Sequence, residues 1–251
     1  MISTKPFPAG WTKPYQTGPD ENSEFALSNR PWAHRLREDR FRALSPDVDV
    51  LIDSSLKLAD LDKVEADVAI RFGAAPSSDL FVKRLFDERL CVFCGPALTR
   101  GSRALKRVQD LERATLLHRD MSEMGWATVT RRWMTWQGWL KEVGVTDIDC
   151  KRGTTFSDYN LAVQAAIAGQ GVVLGSLPVL HDLMTAGLLV NPFRESVDPK
   201  IGYDLVADPG ALARPAVQGF ADWIVAEAAL QSSQNQQATK ARLRKRHAGA
   251  S

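Results

Sequence analysis

The sequence predicts an α/β fold that is divided into two lobes. Short apolar runs typical of buried strands alternate with amphipathic segments along residues 46–230, which is the pattern of α/β proteins. Two extended passages, residues 80–92 and 188–206, stand at opposite ends of a middle block. Two lobes joined by two crossing strands need such passages, and 251 residues suffice for two lobes of about 100 residues each.

The predicted strands are short apolar runs, one of them followed by the turn pair Gly95–Pro96. The first two flank a segment with Leu58, Leu61 and Val64 at helical spacing, which indicates a strand–helix–strand unit of a parallel sheet. In chain order, the predicted strands cover residues 48–52, 67–70, 90–94, 115–117, 147–150, 172–174, 188–190 and 201–206.

The predicted helices carry apolar residues at intervals of three and four positions. The clearest case is residues 215–230, where the apolar residues form one broad face. In chain order, the predicted helices cover residues 104–113, 130–143, 158–168, 178–185 and 215–230.

Four tryptophans crowd together near the middle of the chain. We expect Trp133 and Trp136 to anchor a helix to the sheet, with Trp139 flanking them. The alternative is an aromatic wall for a ligand, and Trp126, on the loop before the helix, is the candidate ligand contact.

The two extended passages set the predicted domain boundaries. One lobe comprises residues 40–91 plus 203–230, and the other comprises residues 92–202. Residues 1–39 are rich in proline and polar residues and predict an irregular segment. Residues 231–251 are Gln-rich and basic, and they predict a disordered tail.

The net charge of +2 hides an uneven distribution. The tail has five basic residues and no acidic one, so the rest of the chain carries a formal charge of −3 and offers no broad basic face for nucleic acid. The basic residues of the tail are Lys240, Arg242, Arg244, Lys245 and Arg246.

We also expect a cytoplasmic protein that does not associate with membranes. No run approaches the roughly 18–20 apolar residues that cross a bilayer, and the N-terminus lacks the apolar core of a secretory signal.

The cysteines and histidines give no catalytic or metal-binding signature. Cys91 and Cys94 have the spacing of a redox dithiol, but residues three apart on a strand point to opposite faces, so we interpret them as structural thiols. The four histidines show no metal-ligand spacing. No phosphate loop or nucleophile elbow occurs. We therefore expect no enzymatic activity, no cofactor and no metal.

Two serine-containing loops follow predicted strands, one in each lobe. The first contains Ser54 and Ser55, and the second covers residues 154–158 with Ser157. Ligands of open α/β sheets collect at the carboxyl ends of strands, where hydroxyls and helix N-termini receive anions. Arg71 would be the cation for an anionic ligand. The alternatives are that the serines are helix N-caps and that the arginine pairs on the surface.

Eight segments in order resemble the effector-binding domain of a LysR-type transcriptional regulator, in the branch that includes the glycine-cleavage activator. The resemblance covers about residues 40–230, and its most specific parts lie within residues 67–73 and 156–175. The segments are RFRALSPDVDVLID, DVAIRFG, LCVFCGPAL, LLHRD, the tryptophan-rich segment before WQGWL (residues 136–140), FSDYNLAVQAAIAGQGVVLG, GLLVNPF and YDLVADP.

The resemblance implies a two-lobed, periplasmic-binding-protein-like (type 2) fold with two crossover strands. It also implies a small-molecule inducer in the cleft between the lobes, and assembly into homodimers or tetramers. We expect this inducer to be anionic or amino-acid-like. The inducer-contacting positions that the resemblance implies are Ser54, Ser55, Arg71, Phe72, His118, Phe156, Ser157 and Asp158.

The resemblance also implies an N-terminal winged helix-turn-helix, which residues 1–39 do not resemble. We therefore expect a ligand-sensing regulatory domain that lacks its own DNA-reading domain, with DNA as a partner only at the level of the family. The alternative function is a solute-binding protein of a transport system with the same fold.

Overall fold

A computed structural model describes residues 2–3, 38–48, 51–52, 67–73, 79–120 and 132–230. The described residues divide into two compact units. Unit 1 extends to Asp87 and resumes at Ile201, and unit 2 runs from Glu88 to Lys200, so the chain passes between the units twice. The predicted α/β class is confirmed in both units.

Unit 1 is built on a sheet of five strands in the order β2-β1-β3-β9-β4, which are numbered along the whole chain. The described ladders of this sheet are antiparallel. The two strands of the predicted strand–helix–strand unit both pair antiparallel with the strand between them, so they run parallel to each other, as predicted, but are not adjacent. The first strand of this sheet lies within the segment that we expected to be irregular. The strands are β1 (Ile2–Ser3), β2 (Leu51–Ile52), β3 (Val68–Phe72), β4 (Phe81–Asp87) and β9 (Gly202–Ala207).

Unit 2 is built on a sheet of four strands in the order β5-β8-β6-β7. These strands are β5 (Leu90–Cys94), β6 (Leu116–Arg119), β7 (Thr154–Phe156) and β8 (Val172–Ser176). Strand β6 is parallel to β7 and β8, whereas β5 is antiparallel to β8. Both β5 and β8 are buried along their length, in keeping with their continuous apolar sequences.

The helices occupy most of the segments that the apolar spacing predicts. The predicted helix at residues 104–113 is instead a 3₁₀ helix, Val108–Arg113. The α-helices are α1 (Glu38–Leu44), α2 (Trp136–Glu142), α3 (Tyr159–Ile167), α4 (Leu177–Thr185), the short α5 (Pro209–Leu212) and α6, residues 215–230.

Helices α1 and α6 pack together in unit 1. Phe41 is buried, and its ring lies 4.9 Å from that of Phe220 in an edge-to-face arrangement. Arg40 pairs with Glu227 across the same contact, at 3.0 Å between Nη1 and Oε1. The apolar face of α6 therefore contributes to the core, as its sequence predicts.

Two predicted strands are wrong, and one predicted loop contains a strand. Residues 147–150 form bends and turns, and residues 188–190 contribute only an isolated bridge between Val190 and Cys94. Thr154–Phe156, interpreted from the sequence as part of a loop, forms β7 at the sheet edge. Its two threonines are exposed, so this strand has no apolar run that would mark it in the sequence.

Two tryptophans of α2 anchor the helix to the sheet, but one of them is not the tryptophan that was predicted. Trp136 and Trp139 are 3% and 0% exposed, whereas Trp133 is only partly buried. The Nε1–H of Trp136 donates to the Leu117 carbonyl, and that of Trp139 donates to the Leu90 carbonyl, both at 3.1 Å. Trp139, and not Trp133, is therefore the second anchor of α2.

Candidate functional site

The candidate site of unit 2 lies along the carboxyl edge of its sheet, which is the border formed by the C-terminal ends of the parallel strands. Because β6, β7 and β8 are parallel, their carboxyl ends meet at that edge, and β5 begins there, with Leu90 opposite Ser176. Arg119 lies opposite Phe156, and the amide of Asp120 extends the pairing by donating to the Phe156 carbonyl at 2.8 Å. This is the edge at which open α/β sheets bind ligands.

A glycine allows β7 to lie beside β6. Gly153 has a φ of 137°, and a Cβ at this position would lie 1.9 Å from the carbonyl oxygen of Leu116. Any other residue would therefore push the chain away from β6. The close approach positions the residues that follow β7 at the candidate edge.

His118 and Arg119 are neighbours on β6, so their side chains point to opposite faces of the sheet. The Nε2 of His118 lies 3.0 Å from the Arg152 carbonyl oxygen, which places the imidazole against the loop before β7. The guanidinium carbon of Arg119 lies 5.7 Å from the centre of the Tyr159 ring, a cation–π arrangement. Arg119 therefore lies on the face of the sheet that carries α3.

Phe156, Ser157 and Asp158 join β7 to α3. Phe156 is half-buried and Ser157 is exposed. Asp158 is the N-cap of α3, and its Oδ1 accepts hydrogen bonds from the backbone amide of Asn160 at 2.7 Å and from the Asn160 side chain at 2.9 Å. The interpretation of Ser157 as an N-cap is thus wrong, because Asp158 has that role.

Tyr159, the first residue of α3, packs against β8 at this end of the sheet. Burial raises the pKa of its phenol above the ordinary value, while the nearby charge of Arg119 acts in the opposite direction. The hydroxyl therefore stays neutral at physiological pH and donates to the Leu174 carbonyl at 3.3 Å. The ring is held in place against β8, and it offers a fixed face to Arg119.

In unit 2, Phe156, Ser157 and Asp158 lie at the carboxyl end of the strand beside β6. Arg119, which was not among the predicted residues, shares the face of the sheet with Phe156, whereas the His118 side chain lies on the opposite face. The signal for Arg119 was present in the sequence, since it directly follows His118 at the end of a predicted strand. Ligand contact by these residues stays a prediction.

The other candidate residues that the structure describes, Arg71 and Phe72, lie at the end of β3 in unit 1. They also point to opposite faces of their sheet. Phe72 is buried, and its ring lies 4.8 Å from that of Tyr203. Arg71 is only 7% exposed, so it does not pair on the surface, the alternative that the sequence left open.

Arg71 belongs to a charged row across the sheet of unit 1. Asp204 on β9 is directly opposite Arg71 on β3 and Arg84 on β4. The Nε–H of Arg84 donates to Asp204 Oδ1 at 2.5 Å, and its Nη1–H donates to the exposed Asp87 at 2.8 Å. The strand register thus places the buried Asp204 carboxylate between two arginines, and Arg84 forms an ion pair with it.

Ser54, Ser55 and Trp126 lie outside the described residues. Within the described ranges, no three His, Cys, Asp or Glu side chains are arranged to hold a metal ion. No helix in that part of the chain is both long and apolar enough to span a membrane.

The cysteines have the properties of buried structural thiols. Cys91 and Cys94 are 1% and 0% exposed, and neither forms a disulfide. Burial raises the pKa of the Cys91 thiol to about 12 and that of the Cys94 thiol to about 11. Because the thiolate is the reactive form, these values oppose dithiol redox chemistry at neutral pH.

Known proteins with similar sequences are transcriptional regulators. A family model described as "LysR substrate binding domain" matches residues 36–229. The chain is 33% identical over 193 residues to the glycine cleavage system transcriptional activator of Escherichia coli K12, and 28% identical over 189 residues to the HTH-type transcriptional activator AmpR of Citrobacter koseri. These matches cover 77% and 75% of this chain but only 60% of each relative.

Solved effector domains share the fold. The effector domain of AmpR from Pseudomonas aeruginosa superposes with a TM-score of 0.62 and 23% identity, over 82% of this chain and 93% of that domain. The regulatory domain of CrgA, a LysR-type regulator from Neisseria meningitidis, gives 0.61 and 19%, over 79% and 95%. These similarities confirm the predicted effector-domain fold. The relatives are named as transcriptional regulators, in agreement with the expectation that the chain is not an enzyme.

Proposed function

Since the chain belongs to the LysR substrate-binding-domain family, we propose that residues 36–229 sense a small amino-acid-like effector. The observation that carries this proposal is the meeting of charged and polar residues from β6, β7 and α3 at the carboxyl edge of one sheet. Ligands of α/β sheets bind at such edges, where they interact with the side chains of several loops.

The charged residues at this edge favour a ligand that carries both a positive and a negative group. Arg119 offers a cation, and the Ser157 hydroxyl offers a further donor. Asp120 and Asp158 follow the same two strands and contribute carboxylates. A simple anion would be repelled by the two carboxylates, whereas an amino acid presents a carboxylate to Arg119 and an ammonium group to the acidic residues.

We also propose that the chain acts as part of a homo-oligomeric regulator at DNA, in the cytoplasm. The matched relatives are named as transcriptional activators, and this chain spans about 60% of their length. Sensing is assigned to the matched domain, and DNA reading to the regulator as a whole.

We expect a stabilising compound to be found among the amino acids. In thermal melts of the whole chain with each of the common amino acids, a ligand at a concentration about 100 times its Kd adds about 2.7 kcal/mol to the free energy of unfolding. For a chain of this size, such a gain corresponds to a rise in Tm of roughly 5–10 °C.

Arg119→Gln is expected to remove most of that shift, because it deletes the cation that faces the ligand carboxylate. Arg103→Gln, at an exposed position of the same unit, serves as the matched control and is expected to keep the shift. A panel that leaves the Tm of the folded protein unchanged, or a shift that Arg119→Gln preserves, would contradict the proposal.

A further inference from the structure

The sheet edge of unit 2 also holds a buried acid that is not among the candidate residues above. Glu88 is 5% exposed and lies two residues before β5 begins. Among the residues that the structure describes, none forms a hydrogen bond of ordinary geometry with its Oε1 or with the nearby Ser176 hydroxyl. Buried polar atoms without such partners are rare in folded proteins, so this pair requires an explanation.

The surroundings of Glu88 disfavour a negative charge. Asp198 contributes a second carboxylate, while Cys91 and Tyr159, whose own pKa values are raised, stay neutral at physiological pH. Arg89 is the neighbouring cation, but its Nε–H pairs with Asp198 at 3.0 Å, and both side chains are about half exposed. No described cation neutralises Glu88 directly, so an ionised Glu88 would lack the partner that a buried charge needs.

Burial therefore raises the pKa of Glu88 to about 7, although the nearby Ser176 hydroxyl and the Arg89 backbone act in the opposite direction. At acidic pH the carboxyl is neutral and tolerates burial. Above neutral pH it is charged, and it gains hydration only if the surrounding chain opens.

Three backbone contacts beside Glu88 would respond to such an opening. The amide of Leu177 donates to the Arg89 carbonyl at 2.8 Å, which ties α4 to the start of β5. The amides of Leu90 and Val197 exchange hydrogen bonds with each other's carbonyls at 2.9 and 3.0 Å. Together these contacts close the sheet edge around the buried carboxyl.

We propose that Glu88 is a protonation switch, which closes this edge when it is neutral and loosens it when it is ionised. The burial of the carboxyl, its unsatisfied oxygen and the backbone contacts around it support this switch. Effector binding is not required for it.

The first test compares Tm with pH for the wild type and for Glu88→Gln, a neutral residue of the same shape. The folded pKa lies above the unfolded value of 4.5, so the folded state binds one proton more between these values and loses stability as the pH rises. From pH 5 to 8, we expect the wild type to lose roughly 5–10 °C more than the variant, with most of the change complete near pH 7.

Glu142→Gln is the matched control, because Glu142 is exposed at the end of α2. This variant is expected to follow the wild type across the pH range. Equal losses of Tm in the wild type and in Glu88→Gln would overturn the proposal.

Hydrogen exchange on the wild type provides a second test that needs no variant. The amides of Leu90 and Leu177 are expected to lose protection as the pH passes through 7, after correction for the exchange of an unstructured chain. The amides of Cys94 and Val172 bond to Val190 and Thr115 at the far end of the same strands, and they serve as the internal reference. A uniform change at both ends would contradict the switch.

Discussion

Trp139→Ala is expected to lower the free energy of unfolding by about 3–5 kcal/mol. The indole is fully buried in the core of unit 2, and its Nε1–H donates to the Leu90 carbonyl. Truncation would leave a cavity and delete this bond at once. Urea unfolding followed by circular dichroism measures the loss.

Two companion variants separate the contributions of Trp139. Trp139→Phe keeps much of the ring volume but deletes the hydrogen bond, so we expect an intermediate loss of stability. Trp133→Ala removes the partly buried tryptophan of the same region, and we expect less than half the loss of Trp139→Ala. Equal losses for the two alanine variants would contradict the assignment of Trp139 as the anchor.

Asp204→Ala is expected to cost about 3 kcal/mol of the free energy of unfolding. The carboxylate lies between Arg71 and Arg84, and its side chain is only 3% exposed. Its removal leaves the buried Arg71 opposite an uncharged residue. The partial exposure of Arg84 permits some hydration, so we place the loss at the low end of the range for buried ion pairs.

The same arginine supplies the matched control for Asp204. Arg84 also pairs with Asp87, whose side chain is 81% exposed. An exposed ion pair contributes about 0–1 kcal/mol, so Asp87→Ala should change the free energy of unfolding little. If both variants lower the free energy of unfolding equally, the buried Asp204 contributes no more to stability than an exposed ion-pair partner, which would contradict the prediction.

Much of the fold was predictable because the buried elements have continuous apolar sequences. Strand β5 begins and ends at the predicted residues, 90 and 94, and α6 covers the predicted residues 215–230. The wrong strand predictions have a common physical cause: a segment can pair in a sheet without being buried, or be buried without pairing. Strand β7 pairs at the side of its sheet, but its threonines are exposed. In contrast, Ile148 is buried although residues 147–150 form no strand.

The antiparallel pairing of β9 in unit 1 was not predictable from local patterns. Strand β9 enters between β3 and β4 from a distant part of the chain, and it sets both ladders antiparallel. The strand–helix–strand pattern near residues 48–70 carries no information about that distant partner.

The location of the candidate site was predictable from the sequence, but the structural role of each of its residues was not. The polar loop after β7 pointed to Ser157 and Asp158, but the sequence could not show which of them caps α3. Glu88 was not predictable as a buried residue, because it lies in the charged run Asp87–Arg89, a pattern typical of exposed segments. Its burial follows from the strand pairing around it, which only the structure shows.

The proposed effector site at the carboxyl edge of the sheet in unit 2 is tested most directly by an amide chemical-shift titration. The labelled protein is titrated with the amino acid that stabilises it most in the thermal melts. We expect saturable shifts concentrated at residues 118–120 and 156–159. Shifts that are absent at both segments, while other residues of the chain respond, would contradict the proposed site.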